Sequence, residues 1–301
     1  MNDRPTTSLQ QPPNTSPVMS QEEADAFLAA ARREVAEKTF DTSESDRLKQ
    51  MVECMGDSRG MVRLGFADTL GKIGKPAVPF LVEALLNHAD PVVRRASAKT
   101  LTLISDPETV PPLVRALLND EDTVVKGSAV GALASIGEAS VPVLLEILTS
   151  PEHPESTKGH AAWALTFIGS EAKEYLYREI NSDSESVRAA VVGAIAKIAG
   201  EEEEERAISI LNDALRDPST AVRCEAAAVL GTLAYKPAVP NLIELLDRPD
   251  PETRKAAALS LMKIRDLEAV EPLQQAYQRE AEESIKPIIK LAIGQLTANR
   301  E

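Results

Sequence analysis

The sequence predicts an all-α solenoid of about seven helical hairpins, and three observations lead to this fold class. First, a unit of about 30 residues recurs from residue 56 onward. Second, 43% of the residues are hydrophobic but only 3% are aromatic, so the apolar side chains are mainly small or branched aliphatics. Third, each unit holds two apolar stretches with helical spacing, usually separated by glycine or proline. Stacked hairpins account for all three, because one hairpin cannot bury its apolar face alone.

The chain divides into three predicted parts. Residues 1–19 are rich in Pro, Ser, Thr, Gln and Asn and contain almost no core-forming residues, which predicts a disordered tail. Residues 20–55 are expected to form a helical N-terminal cap. It would begin at Ser20, whose hydroxyl can accept a hydrogen bond from the amide of Glu23 in an S-x-x-E capping box. Residues 56–301 are expected to form the repeat solenoid.

A basic residue opens the first helix of each unit and reveals the period. These ladder residues recur at intervals of 30 to 35 residues. They are Arg63, Arg94, Lys126, Lys158, Arg188, Arg223, Arg254 and Lys286. So regular a spacing indicates a solenoid.

Each unit has recognisable helix boundaries. The first helix begins after Asp or Asp-Pro, because Asp caps free amides and proline fits the opening turn. Its end is Ile-Gly in three units, where glycine permits a left-handed C-cap. The second helix begins near a Val-Pro or Pro-Pro pair. These prolines are Pro79, Pro112, Pro142 and Pro240.

The ladder residues have two interpretations. They could form an anion-binding stripe, or each could bridge an acidic residue of its own or the next unit. Carboxylates a few residues earlier, such as Asp90 before Arg94 and Asp250 before Arg254, favour the second interpretation. Exposed ion pairs contribute only about 0–1 kcal/mol each. We therefore expect the ladder to set the register of stacking rather than to drive it.

The fourth unit departs from the pattern. Its opening, SPEHPESTKGHAAW, lacks the D-P-x-V-R sequence and contains Trp163, the single tryptophan of the chain, and His160. At 100° per residue, both side chains point away from the core toward the outer face of the first helix. The indole could fill a gap above Gly131 and Gly193 in the neighbouring units. Alternatively, it could form an exposed platform for a partner or a flat conjugated ligand.

The second helices supply further candidate binding residues. Tyr175 and Tyr177 replace the usual aliphatics in the fourth unit. A column of alternating charge includes Arg115, Glu146 and Arg178. Such a column suits a folded protein surface better than a polyanion.

Composition excludes several classes of function. The formal net charge of −14 disfavours nucleic acid and anionic lipid as partners. No apolar run reaches the ~20 residues that cross a bilayer, and the N-terminus lacks an apolar signal core. Cys54 and Cys224 are far apart, and three histidines complete no metal cluster with them. We expect a reduced cytoplasmic protein without a metal, and no common catalytic motif is present.

The repeat sequences resemble a known family. The D-P-x-V-R opening, the A-x-x-x-L-x-x-I-G first helix and the A-V-P-x-L second helix resemble HEAT repeats over about residues 56–296. More narrowly, they are similar to the HEAT-like repeats of cyanobacterial phycobilin lyases of the E/F type. The resemblance implies that the second helices line the concave face. It also implies that a bilin is the substrate and a phycobiliprotein subunit the acceptor, with no required cofactor.

The resemblance implies a chemistry as well. The attacking thiol belongs to the acceptor, so a lyase has to orient the bilin and present the acceptor cysteine to it. His160 and Glu146 are candidates for protonating the bilin, and Arg115 and Arg178 for pairing with its propionates. A second HEAT-repeat subunit is plausible, since E/F-type lyases resemble obligate heterodimers. The alternative is a non-catalytic adaptor or scaffold, for phycobilisome turnover or for another protein complex.

Overall fold

A computed structural model describes residues 19–202 and 205–298, and its regular elements are helices. The two N-terminal helices are α1 (Gln21–Glu37) and α2 (Ser45–Glu53). Seven hairpins follow, each with a first and a second helix. Their helices are α3 (Gly60–Ile73), α4 (Val78–Asn87), α5 (Pro91–Ile104), α6 (Val110–Asn119), α7 (Thr123–Ile136), α8 (Val141–Thr149), α9 (Glu155–Ile168), α10 (Lys173–Glu179), α11 (Glu185–Glu202), α12 (Glu205–Ala214), α13 (Thr220–Thr232), α14 (Val239–Glu244), α15 (Pro251–Ile264) and α16 (Val270–Arg279). One further helix, α17 (Lys286–Thr297), takes the position of a first helix and ends the stack.

This architecture confirms the predicted all-α solenoid of about seven hairpins. Residues 1–18, most of the predicted disordered tail, lie outside the described residues. Met19, the last residue of that predicted tail, packs against the core.

Local capping explains where the helices begin and end. Ser20 and Glu23 form the predicted capping box, with the Glu23 amide donating to Ser20 Oγ at 3.2 Å. Asp90 caps α5 by accepting a hydrogen bond from the Val92 amide at 2.8 Å. Gly137, which ends α7, has a φ of 79°, a conformation that glycine adopts without strain.

The ladder residues clamp consecutive units together. The Arg94 guanidinium donates to both carboxylate oxygens of Asp120, at 2.8 and 3.0 Å, at the start of the next unit. It also donates to the carbonyl oxygens of His88 and Ala89 in its own unit. Similar bridges join later units: Arg188 to Asp217, Arg223 to Asp250, and Arg254 to Glu280. The stacking interpretation of the ladder is therefore the correct one for these arginines.

The clamp is interrupted in the middle of the array. Lys126 donates to the Leu118 carbonyl at 3.3 Å, on helix α6 of the preceding unit. Lys158 pairs with Glu155 of its own helix, also at 3.3 Å. Within the described chain, neither lysine reaches a carboxylate of the next unit. The fourth unit, which carries Trp163, therefore lacks an arginine clamp at both of its interfaces, although Lys197 and Arg206 of the fifth unit contact it.

The two helix layers are spaced differently. Successive first helices lie close together along the whole array, whereas the second helices approach one another much less. Small residues permit this proximity: a Cβ on Gly231 of α13 would lie 2.8 Å from Ser260 Cα of α15. An array curves toward its more closely spaced layer. The first helices therefore lie on the inner side of the curve, and the expectation that the second helices line the concave face is wrong.

We predict that Arg188→Ala destabilises the solenoid more than Lys126→Ala does. Arg188 and Asp217 are both largely buried, so removing the guanidinium leaves a desolvated carboxylate without its partner. Losing hydrogen bonds to a charged group costs about 1.5–3 kcal/mol, whereas the Lys126 contact should be worth less than about 1 kcal/mol. Urea unfolding followed by circular dichroism measures both. Equal losses of unfolding free energy in the two variants would contradict the role of Arg188 in joining consecutive units.

We also predict that acid weakens the stack. The Arg95 side chain lowers the pKa of Asp122 to about 2. Burial opposes ionisation of Asp217, but hydrogen bonds led by the one from Arg188 outweigh it and lower its pKa. Carboxylates with depressed pKa values stabilise the fold above their unfolded pKa, and this stability is lost as the pH falls through the folded pKa.

The melting temperature should therefore stay nearly constant down to about pH 5 and fall between about pH 4 and pH 2. Thermal unfolding at stepped pH measures this dependence. Asp217→Asn should flatten part of the acid decline, and a variant with an unchanged profile would show that this carboxylate does not contribute to it.

Candidate functional site

Exposed apolar side chains gather on one surface of the first helices, which we call the inner face. Their positions relative to the ladder residues place them in one angular sector of those helices. They are Met61, Leu64, Leu103, Val124, Trp163, Phe167 and Leu291. All but Leu291 lie on the consecutive first helices α3, α5, α7 and α9, whereas Leu291 lies apart from them on α17. A cluster of exposed apolar side chains on adjacent helices marks a binding site more often than a single exposed one does.

Trp163 and Phe167 form the aromatic centre of the inner face. They lie one turn apart on α9, with ring centroids 5.7 Å apart and planes inclined by 28°. About half of each side chain is exposed, 51% for Trp163 and 54% for Phe167. The pair stands between two hollows that open to solvent.

The hollows are formed by the first helices on either side of α9. The larger, of ≈ 610 Å³, lies over α11 and α13, and the smaller, of ≈ 380 Å³, lies over α5 and α7. Small residues form their floors, including Gly131 in the smaller hollow and Gly193 and Ala196 in the larger. By comparison, a hollow between the second helices α12 and α14 has a volume of only ≈ 260 Å³.

The indole does not fill the space above the neighbouring glycines. No atom of a neighbouring helix lies within 4 Å of the position that a Cβ on Gly131 would occupy. The atoms nearest to the equivalent position on Gly193 belong to Glu225 and Thr166, not to Trp163. The geometry therefore favours the exposed platform over the gap-filling interpretation.

Two charged residues beside the aromatic pair were not predicted from the sequence. Lys197 of α11 donates to the Phe167 carbonyl at 2.6 Å, and its Nζ lies 5.2 Å from the centre of the Phe167 ring. Glu225 of α13 reaches over Gly193 and lines the larger hollow. Burial raises the pKa of Glu225. The repeat register could have identified Glu225, since it stands two residues after its ladder residue, as His160 does.

The residues predicted as a site divide between the two helix layers. His160 lies with Trp163 on α9, half-buried. Glu146, Arg115 and Arg178 are exposed on the second helices α8, α6 and α10, in the other layer. The structure thus does not bring Glu146 to the same surface as His160.

The tyrosines of α10 also differ from the expectation. Tyr177 is only 3% exposed, and the Arg206 guanidinium lies 4.2 Å from the centre of its ring. Tyr175 is half-buried, and Arg178 stacks over it at 4.3 Å. Tyr177 therefore cannot contact a partner or ligand as predicted, because its ring is part of the core.

Burial disfavours the thiolate form of both cysteines. Burial raises the pKa of Cys54 to about 11. Burial also raises the pKa of Cys224, although Thr253 and the neighbouring Arg223 act in the opposite direction. A raised pKa reduces the thiolate fraction at neutral pH, so both behave as structural thiols.

Among the described residues, no group of three or more His, Cys, Asp or Glu side chains is arranged to hold a metal ion. One stretch there, Thr123–Thr149, is long and apolar enough to cross a membrane. It comprises α7, α8 and the turn at Gly137, and 56% of its most apolar part is buried inside the protein. Its apolar side chains thus contribute to the core of the stack.

Sequence comparisons place the chain among known proteins. The sequence model of the HEAT-repeat family matches residues 78–157, 141–219 and 208–292 of this chain. The chain is 37% identical to the bilin biosynthesis protein MpeU of Synechococcus sp. (strain WH8020) over 279 residues. That match covers 92% of this chain and 94% of MpeU.

Solved structures share the architecture. Kap95p, in a structure with RanGDP, is 14% identical with a TM-score of 0.53, over 93% of this chain and 44% of that chain. The CpcE–CpcF complex of phycocyanin lyase from Nostoc sp. PCC7120 gives 24% identity and a TM-score of 0.44, over 51% of this chain and 98% of that chain. The likeness to Kap95p shows a common solenoid fold.

We predict that Trp163→Ala leaves the fold nearly intact. The side chain is half exposed and its main ring partner is Phe167, so the loss should be about 0.5–1.5 kcal/mol. Leu165→Ala, a fully buried site on the same helix, should cost about 2–5 kcal/mol. Urea unfolding of both variants provides the comparison. A Trp163→Ala loss as large as that of Leu165→Ala would restore the gap-filling interpretation.

Proposed function

Because this chain belongs to the HEAT-repeat family, and to the same family as the bilin biosynthesis protein MpeU, we propose that it assists attachment of a bilin to a phycobiliprotein cysteine. The observation that carries the proposal is the 37% identity to MpeU along nearly the whole of both chains. An accessible aromatic pair beside two hollows on the inner face is compatible with binding a flat conjugated molecule.

The proposed reaction adds the acceptor thiol across an exocyclic carbon–carbon double bond of the bilin. A carbon–sulfur bond forms, the π bond is lost and the thiol proton ends on the bilin. The addition needs no oxidant and no leaving group. It also needs no nucleophile from this chain, which agrees with the raised pKa values of Cys54 and Cys224.

The contribution of this chain is orientation. Holding the bilin and the acceptor cysteine at reacting distance converts a bimolecular encounter into an effectively unimolecular step. The acceptor is a phycobiliprotein subunit, and a second HEAT-repeat subunit completes the lyase. Both partners and the cytoplasmic location belong to this proposal.

We predict that co-expression of this chain with a bilin-producing system and a phycobiliprotein subunit yields a covalent coloured adduct on the acceptor. The adduct is expected in the culture that also contains a candidate HEAT-repeat partner, and a parallel culture without that partner tests whether the second subunit is required. The adduct is measured by absorption of the denatured acceptor and by mass spectrometry. It should disappear when the chain is omitted and when the acceptor cysteine is replaced by serine.

Two outcomes of the co-expression experiment would contradict the proposed function. An acceptor that stays colourless in every combination, while this chain still co-purifies with it, would replace attachment by the adaptor function. An acceptor that is modified equally well without this chain would exclude a role in attachment.

A further inference from the structure

We propose that the larger hollow of the inner face is the bilin-binding site, with Trp163 and Phe167 stacking on the pyrrole rings, Glu225 accepting hydrogen bonds from pyrrole N–H groups and Lys197 pairing with a propionate. The inference rests on the proposed function and assigns residues to it. It draws on three adjacent first helices, α9, α11 and α13, that the repeat brings side by side.

The hollow suits a flat conjugated ligand in size and lining. Its volume of ≈ 610 Å³ falls within the range of small-molecule sites, about 300–1,000 Å³. Gly193, Ala196 and Ala228 leave the floor without large side chains, and the two aromatic rings form one wall. Aromatic faces stack on other π-systems at centroid distances of about 4.5–7 Å. A linear tetrapyrrole presents such faces along its whole length.

Glu225 supplies an acceptor without a protein partner. Its Oε1 lies 3.0 Å from the position that a Cβ on Gly193 would occupy, so glycine makes room for the carboxylate. Among the described residues, the side chain forms no hydrogen bond or ion pair, and it is exposed where it lines the hollow. A carboxylate without a protein partner gains from N–H donors, and more from a cationic one. The pyrrole nitrogens of a bilin provide these donors.

Lys197 supplies the opposite charge at the edge of the hollow. The hydrogen bond to the Phe167 carbonyl and the contact with the Phe167 ring hold its ammonium beside the aromatic pair. An ammonium has three donors, so it can bind a ligand carboxylate while keeping this bond. The site thus offers an acceptor for the nitrogens and a donor for a propionate, which matches the two kinds of polar group on a bilin.

The test uses the full-length protein and biliverdin as the probe. Binding is measured by absorption titration and by quenching of Trp163, the single tryptophan of the chain. Trp163→Ala, followed by absorption alone, should weaken binding about 3- to 10-fold through lost stacking. Glu225→Gln should weaken it about 10-fold, since a charged acceptor is lost, and should reduce the red shift that marks protonated biliverdin.

Lys197→Ala is tested with a second ligand. It should weaken biliverdin binding about 3- to 10-fold, yet leave the affinity for biliverdin dimethyl ester unchanged, because the ester carries no carboxylate to pair with the ammonium. The matched controls are Leu291→Ala, whose side chain is as exposed as Trp163, and Glu83→Gln on the second helix α4. Both should stay within about twofold of the wild type. Circular dichroism checks that each variant is folded.

The outcomes separate the site from the proposed function. Biliverdin binding that is absent, or equally strong in all variants, overturns the site. If the adduct still forms in co-expression, the proposed function survives that result. Conversely, binding that follows the predicted pattern without any adduct would support the site and overturn the attachment function.

Discussion

Close packing of the first helices is the constraint on which the rest of this structure depends. Small residues at their contacts let neighbouring backbones approach, as at Gly231 and Ser260. The second helices are spaced more widely, so the array curves and the first helices line its inner side. Other small residues, such as Gly131 and Gly193, leave open floors where no large side chain projects. Curvature and the hollows of the inner face therefore both depend on small residues of the first helices, at different positions.

The arginine clamps act on this packing by setting its register. Each clamp joins the loop carbonyls of one unit to a carboxylate at the start of the next, as Arg94 does with Asp120. The clamps are missing where lysine replaces arginine, at Lys126 and Lys158, and also at Arg63, whose guanidinium donates to the carbonyls of Asp57 and Ser58. Trp163 lies between the two interfaces interrupted at Lys126 and Lys158. The unit with the most unusual surface thus lacks the arginine clamp on both sides.

Binding and stability are assigned to different surfaces of the same helices. Residues such as Leu165 face the core and hold the stack, whereas Trp163 and Phe167 on the same helix face solvent. Surface changes on the inner face can therefore alter recognition without altering the fold. A repeat protein with this division can acquire a ligand site through a few exposed positions. The aromatic pair and the charges of Lys197 and Glu225 are such positions in this chain.

The sequence by itself determined the helices, their caps, the repeat period and the direction of Trp163 away from the core, because these follow from local propensity and helical spacing. It could not determine which layer lies inside the curve, because curvature depends on the relative spacing of the two layers. For the same reason, the family-based concave face was assigned to the wrong helices. The sequence could not place Lys197 and Glu225 beside Trp163 either. These residues belong to units about 30 residues apart, and only the stacking of the units brings them to one hollow.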